Sequence, residues 1–291
     1  MEIPTEQSQM HSTYGIIGAS LGHSLSPSIF EYLFRKFNIE SDYISIEAGK
    51  NALPDIIRTI RRNNIKGVNV TFPHKQAALL LLDELDITSK QIGAVNTILN
   101  DNGILRGFNT DQIGLSATLR TFLKLKLAGE YAIILGAGGA ARACLQAIIE
   151  HQPQEILIIN RTLNNAEKII PLARRRKKNT HFRFCSIDDI NNISAPQAPR
   201  LIINATSADN GAIEHVLQSI SNHAVLNNCT LLDLNYGERA VCSRVQHLFL
   251  NCYDGAYMLA AQAAESFCIW TGHRVDAGEI YDYLVNRAVR S

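Results

Sequence analysis

Ser24 and Ser26 stand two positions apart, just after the short apolar stretch Tyr14–Gly18. Asn69-Val-Thr71-Phe-Pro73-His-Lys75 sets an amide, a hydroxyl and an amine around one turn, and Asn96 and Asp111 fall in two further turns. These residue types suit a small, hydroxyl-rich anion. Amides and hydroxyls pair with its hydroxyls, and serine hydroxyls or a lysine meet its carboxylate. Each residue alone has a plainer reading: Ser26 as a helix cap, Asn96 as a turn former, Lys75 as a surface charge. Together they form a ligand crevice if all sit at strand ends, where open α/β sheets bind ligands.

A second stretch reads as nucleotide chemistry. The apolar run Tyr131–Leu135 breaks into Gly136-Ala137-Gly138-Gly139, and Ala140-Ala141-Arg142 follows. A buried strand, a tight turn and the first turn of a helix have this pattern. The first glycine allows the turn, and the second lets backbone N–H groups approach a diphosphate at the positive helix end. Ala141 fills a position that need only be small. The same turn also occurs where nothing binds. Asn160-Arg161-Thr162 closes the next strand, where an adenosine ribose would lie. An acidic residue there favours NAD; Arg161, with Thr162 as a further donor, favours the 2′-phosphate of NADP.

The elements needed to position these groups are legible as an α/β pattern. Strands are expected at Tyr14–Gly18, Tyr43–Glu47 and Gly67–Thr71. Helices are expected from Ser26 (as N-cap, before Pro27) to about Phe37, over Pro54–Arg62, and from Pro73 through Leu79–Leu82. That alternation implies a parallel sheet with helices on both faces. Ile92–Asp111 is rich in glycine and asparagine and reads as hairpin-like connections, with a helix from Asp111 to about Leu125 after it. A second alternation follows, with strands at Tyr131–Leu135, Glu155–Asn160, Phe182–Cys185, Leu201–Asn204 and Thr230–Leu234, and a last one near Asn251. A long helix, Met258–Thr271, carries Leu259, Ala263, Phe267 and Trp270 along one face. The basic run Arg174–Lys178 reads as a solvated helix end.

The whole chain sets the bounds. Its 291 residues are 46% hydrophobic and 19% charged, enough for two cores. A net charge of +1 gives no reason to expect nucleic acid or a membrane surface as a partner. No apolar run is long enough to span a bilayer, and residues 1–13 read as a loose polar leader. The six cysteines form no C-x-x-C pair and the nine histidines no ligand pattern. We therefore expect no metal, and a reducing, cytoplasmic setting.

Read together, the motifs resemble those of the shikimate/quinate dehydrogenase family from about Tyr14 to Gly272. The family's opening motif stands at Gly22-His-Ser24-Leu-Ser26-Pro27 and N-V-T-x-P-x-K at Asn69–Lys75. G-A-V-N-T stands at Gly93–Thr97, G-x-N-T-D at Gly107–Asp111 and N-A-T-S at Asn204–Ser207. The closing motif is carried by Asp254, Gly255, Met258, Leu259, Gln262 and Ala263. The resemblance implies an N-terminal α/β substrate domain and an NADP-binding Rossmann domain with a cleft between. Residues 1–112, rejoined by 253–291, would form the first, and 113–252 the second. It implies Lys75 and Asp111 as the catalytic pair. Ser24, Ser26, Thr71, Lys75, Asn96, Asp111 and Gln262 would hold shikimate, with Tyr236 near the same pocket. The cofactor would meet Gly136, Ala137, Gly138, Gly139 and Ala140, then Asn160, Arg161 and Thr162. Asn204, Ala205, Thr206, Gly255 and Met258 would complete its site.

The implied reaction is the reversible reduction of 3-dehydroshikimate to shikimate with NADPH, in aromatic amino-acid biosynthesis, by a monomer or homodimer. Either member of the pair can be the one that carries the proton. Three departures from the family pattern stand out. Asn164 and Asn165 stand where a second basic residue is usual, Asp209 adds a negative charge behind the N-A-T-S motif, and Tyr257 replaces a glycine. At the last position the tyrosine must point away from the site or crowd it. The departures leave open a quinate- or NAD-using relative and a weakly active nucleotide-binding regulator.

Overall fold

Apolar runs punctuated by glycine, proline and asparagine build two six-stranded sheets. The computed structural model describes residues 11–167, 169, 179–192 and 197–288. The basic run Arg174–Lys178 lies outside them. So does most of the expected leader, of which Ser12 and Thr13 already belong to the first strand.

The first sheet holds β1 (Ser12–Gly18), β2 (Ser41–Glu47), β3 (Gly67–Val70), β4 (Glu84–Leu85), β5 (Thr97–Asp101) and β6 (Ile104–Phe108), in the order β2-β1-β3-β5-β6-β4. It corrects the expected parallel sheet to a mixed one. β1 is parallel to β2 and β3, but β5 is antiparallel to both β3 and β6. The cause of the β5–β6 reversal is local: Asn102 and Gly103 take φ of 52° and 94°, which closes a two-residue hairpin.

Helices α1 (Ser26–Lys36) and α2 (Leu53–Arg62) lie where expected. Ser26, however, is the first helical residue and not the cap; Leu25 holds that position, without a side-chain bond. The helix expected from Pro73 is also corrected. The Phe72–Pro73 peptide is cis, and only a 3₁₀ turn forms, at Ala77–Leu80. Consecutive leucines carry no helical period, and Leu80 is exposed while Leu79 and Leu82 pack inward. The short α3 (Ile87–Ile92), capped by Asp86, falls in a stretch where no helix is expected. α4 (Thr110–Ala117) passes into a π-helical turn at Thr118–Phe122 and so stops short of Leu125.

The second sheet holds β7 (Tyr131–Leu135), β8 (Glu155–Asn160), β9 (His181–Ser186), β10 (Leu201–Asn204), β11 (Thr230–Asp233) and β12 (Asn251–Tyr253). Every pairing is parallel, in the order β12-β11-β10-β7-β8-β9. This is the doubly wound arrangement, with its switch point between β7 and β10. Along β7, Ala132 and Ile134 face the core under α5 (Gly139–Ile149), and Tyr131, Ile133 and Leu135 face the opposite one. A strand buried on both faces needs such an unbroken apolar run. The helices α6 (Leu163–Glu167), α7 (Asn210–Ser221) and α8 (Cys242–Val245) complete the alternation.

The chain then returns. Ala263, Phe267 and Trp270 of α9 (Ala256–Thr271) and Ile280 of α10 (Ala277–Ala288) pack with Ile29, Phe30 and Leu33 of α1 on the first sheet. Trp270 Nε1 donates to the Ile98 carbonyl at 2.9 Å. The indole lies so close to β3 that a Cβ on Gly67 would sit 2.3 Å from Nε1. Gly67→Ala is therefore expected to destabilise the fold by about 1–3 kcal/mol through overpacking, read as a lowered midpoint in urea unfolding.

Candidate active site

The antiparallel turn of the first sheet gathers the polar set. Because β5 begins where β3 ends, Asn69 and Thr97 are register partners. Asn96 is held between strands, its carbonyl accepting from Val70 N at 2.8 Å and its N–H donating to Phe108 O at 3.0 Å. β6 then leads directly into α4, and Asp111 stands in that helix's first turn, where the dipole favours a carboxylate.

Lys75 Nζ donates to Asp111 Oδ2 at 2.6 Å, and the two side chains are only 17% and 7% exposed. The second oxygen, Oδ1, accepts from Asn96 Nδ2 at 2.8 Å. The orientation of that amide is not free: Asn96 Oδ1 accepts from the Thr110 backbone N–H at 2.7 Å, so the NH₂ group must face Asp111 and Thr110 Oγ1. Both Asp111 oxygens are thus acceptors, as in a carboxylate. Gln262 reaches the group from α9, its Oε1 accepting from Thr110 Oγ1 at 3.4 Å. The close approach of α4 and α9 depends on Gly114, where a Cβ would lie 3.0 Å from the Met258 carbonyl.

The remaining residues expected around the substrate rim the same end of the sheet. Thr71 is half-buried at the tip of β3, its N–H donating to Ile17 O at 2.9 Å. Ser24 Oγ accepts from Ser26 N at 3.3 Å, and Ser26 is buried in the first turn of α1. Tyr236, from the loop after β11, accepts from Leu25 N and donates to His23 O, each at 3.4 Å. It ties the second sheet's loops to the first sheet's. Burial raises its phenol pKa, which keeps it a neutral donor.

The glycine turn lies at the switch point of the second sheet. Gly136 takes φ of 107° and donates to Ile159 O at 2.8 Å; a Cβ there would lie 3.0 Å from Ala205 O. Ala137 is buried and Ala140 half-buried. Gly138 caps α5 without a side-chain bond and faces open space. The first N–H groups of α5 are therefore available to an anion, and a diphosphate fits. At the neighbouring strand end Asn160 Nδ2 fastens the turn to Thr162 O at 2.8 Å, leaving Arg161 exposed beside it. Asn204 turns inward and donates to Asp233 Oδ1 at 2.9 Å, while Ala205 and Thr206 are half-buried and Ser207 is exposed. Gly255 begins α9 hard against the Leu234 backbone, and Met258 sits under the same turn, in the core below α5.

The two walls touch. A Cβ on Gly139 would lie 3.1 Å from Lys75 Cβ and 3.2 Å from its Cδ. Ala143 of α5 packs with Ile92 and Ala94. Buried Cys144, one residue further, has its thiol pKa pushed up by burial first and then by the charge of Asp111. The nucleotide helix thus lies directly on the stem of the lysine.

Two of the departures have local explanations. Asp209 caps α7, accepting from Gly211 N at 2.9 Å and Ala212 N at 3.1 Å, so its charge is placed on a helix N-terminus. Tyr257 stacks on Phe122 at 4.5 Å and meets Tyr281 edge-on, in a cluster with Tyr253. Nothing in the structure distinguishes Asn164 and Asn165. Sequence reasoning missed Thr110 and Ser266, both fully buried within the polar group. The spacing of Ser266, four residues after Gln262 on one helix, was the available signal.

Among the described residues there is no cluster suited to a metal and no helix long and apolar enough to cross a membrane. Family models match residues 16–98 (shikimate dehydrogenase substrate binding domain), 119–237 (shikimate/quinate 5-dehydrogenase) and 255–282 (shikimate 5′-dehydrogenase C-terminal domain). The NADP(+) shikimate dehydrogenase of Caldanaerobacter subterraneus subsp. tengcongensis is 34% identical over 274 residues, covering 93% of this chain and 95% of the relative. The crystal structure of shikimate dehydrogenase 1 from Peptoclostridium difficile superposes with a TM-score of 0.78 at 28% identity, over 94% of this chain and 97% of that one. Shikimate 5-dehydrogenase from Thermus thermophilus, solved with NADP(H) and shikimate, gives 0.75 at 28% identity, over 93% and 97%. By both sequence and architecture, the chain belongs to the shikimate dehydrogenase family.

Proposed function

We propose that this chain catalyses the reversible, NADP-linked reduction of 3-dehydroshikimate to shikimate, a step of aromatic amino-acid biosynthesis. The observation that carries the reading is the largely buried Lys75–Asp111 pair lying against the first turn of the nucleotide helix. A relative of the same architecture has been solved with both NADP(H) and shikimate, which supports it. Residues 1–112 with 253–291 serve as the substrate-binding domain and 113–252 as the nucleotide-binding domain. The free cysteines suit a cytoplasmic location.

NADP supplies or accepts the hydride when bound. The α5 N-terminus and the Gly138 opening suit its diphosphate, and Arg161 with Thr162 suits its 2′-phosphate. The chain's own groups handle the alcohol. Ser24 and Ser26 meet the substrate carboxylate at one end of the pocket, and Thr71, Asn96 and Gln262 orient its hydroxyls. Lys75 exchanges the proton of the reacting hydroxyl. Asp111, with both oxygens already accepting, orients the ammonium and the hydroxyl and does not itself carry the proton.

Initial rates with shikimate and quinate, each with NADP and NAD, test this directly. The expected result is fastest turnover with shikimate and NADP. Fastest turnover with quinate or NAD would favour the related specificity, and NADPH binding without any turnover would favour a regulator. Lys75→Ala is expected to lower kcat by about 10²–10⁴-fold while shikimate still binds in equilibrium titration. The two adjacent glycines should separate. Gly138→Ala intrudes on open space at the diphosphate position and is expected to raise KM for NADP. Gly139→Ala pushes the Lys75 stem and is expected to lower kcat by about tenfold at saturating NADP.

A further inference from the structure

Within the site as proposed above, Ser266 is a fully buried hydroxyl that the reaction does not use. It gives its proton to the Gln262 carbonyl at 3.0 Å. Its oxygen lies 2.8 Å from Thr97 Oγ1, 3.1 Å from Asn69 Nδ2 and 3.2 Å from Thr110 Oγ1, so it joins α9 to β3, β5 and α4 at once.

The direction of these bonds follows from proton accounting. Tyr43, stacked on Phe30 at 4.6 Å, donates its phenol proton to Asn69 Oδ1 at 2.7 Å. Burial raises that phenol's pKa well above the usual value, which keeps it a donor. With Oδ1 occupied, the Asn69 NH₂ must face Ser266. Ser266, its own proton already given away, accepts from Asn69 and from Thr97. Thr97 thereby donates to Ser266 and not to Asn96 Oδ1, 3.2 Å away; that oxygen accepts from the Thr110 N–H. This last bond is the one that obliges the Asn96 amide to donate to Asp111.

We propose that Ser266 and Tyr43 are positioning residues for the Lys75–Asp111 pair, Ser266 holding α4 and β5 against α9 and Tyr43 fixing the polarity of the Asn69 amide that faces Ser266. Removing the Ser266 hydroxyl takes away the acceptor shared by Asn69 and Thr97 and leaves them the longer contacts to Thr97 Oγ1, the Asn96 carbonyl and Asn96 Oδ1. Removing the Tyr43 hydroxyl leaves Asn69 Oδ1 without its donor. The group then re-pairs through Thr97 and Thr110, next to Asp111.

The test is steady-state kinetics of the full chain with shikimate and NADP, comparing Ser266→Ala, Tyr43→Phe and the double variant, with Thr271→Val as control. Thr271 makes the same kind of bond on the same helix, to the Phe267 carbonyl at 2.8 Å, outside the chain of contacts. The expected result is a kcat lowered about tenfold in Ser266→Ala and Tyr43→Phe. KM for shikimate should stay within about twofold in Ser266→Ala, and the double variant should be little worse than the poorer single one. Thr271→Val should keep kcat while losing comparable thermal stability. Should Ser266→Ala not fold, Tyr43→Phe carries the test through kcat at saturating shikimate: its ring stack is retained, and its hydroxyl's further hydrogen bond, to Ser26, is read in KM. An unaltered kcat in the folded variants, or an equal fall in Thr271→Val, overturns the proposal. Absence of turnover by the unaltered chain overturns the functional reading itself, and this role with it.

Discussion

An ammonium and a carboxylate held together largely out of water are the constraint on which the rest of the site depends. Removing one partner of such a pair costs roughly 3–5 kcal/mol, because the other charge is left buried and uncompensated. The remaining lone pair of Asp111 must also be met, and Asn96 meets it. Asn96 in turn needs a donor for its own oxygen, which the Thr110 backbone provides because α4 starts at that point. Each requirement fixes the element that answers it: the β5 reversal for Asn96, the start of α4 for Asp111, and the α4–α9 approach at Gly114 for Gln262. The polar interior of the first domain is therefore a consequence of one ion pair and the geometry it demands.

The second sheet was legible almost strand by strand, because a parallel sheet buried on both faces writes itself as unbroken apolar runs between turn residues. The first sheet was legible less completely. Its hairpin was announced by Asn102-Gly103, but the direction of β5 against β3 is a tertiary choice that no local pattern carries. The stretch after Pro73 misled for a different reason: leucines in a row supply hydrophobicity without period, and the chain there makes only a 3₁₀ turn. Ser26 has the chemistry of a cap and lies one position too late to be one.

The site residues of the motifs were legible by type, and the structure brings Lys75, Asn96, Asp111 and Gln262 into one group. What could not be read was how the two walls meet. Gly138 and Gly139 were both expected to meet the cofactor. Only Gly138 faces open space; the Cβ direction of Gly139 is filled by the lysine stem. Likewise Asp209 and Tyr257, which looked like intrusions, are a helix cap and a member of an aromatic cluster. The cap is local, with partners two and three residues on, and Asp is an ordinary cap residue; the ring partners of Tyr257, Phe122 and Tyr281, are distant in the chain and leave no mark in local sequence.

The central claim is that the amine of Lys75 exchanges the proton of the reacting hydroxyl while Asp111 orients it. Chemical rescue tests it most directly. Lys75→Ala leaves a space beside an intact carboxylate, and small primary amines of graded basicity can be added to the assay with shikimate and NADP. The account predicts that they restore turnover, with a rescue rate that varies with amine basicity as a proton-transfer role requires. Turnover by Lys75→Ala at the unaltered rate without amine, or a folded, substrate-binding variant that no amine rescues, would contradict it.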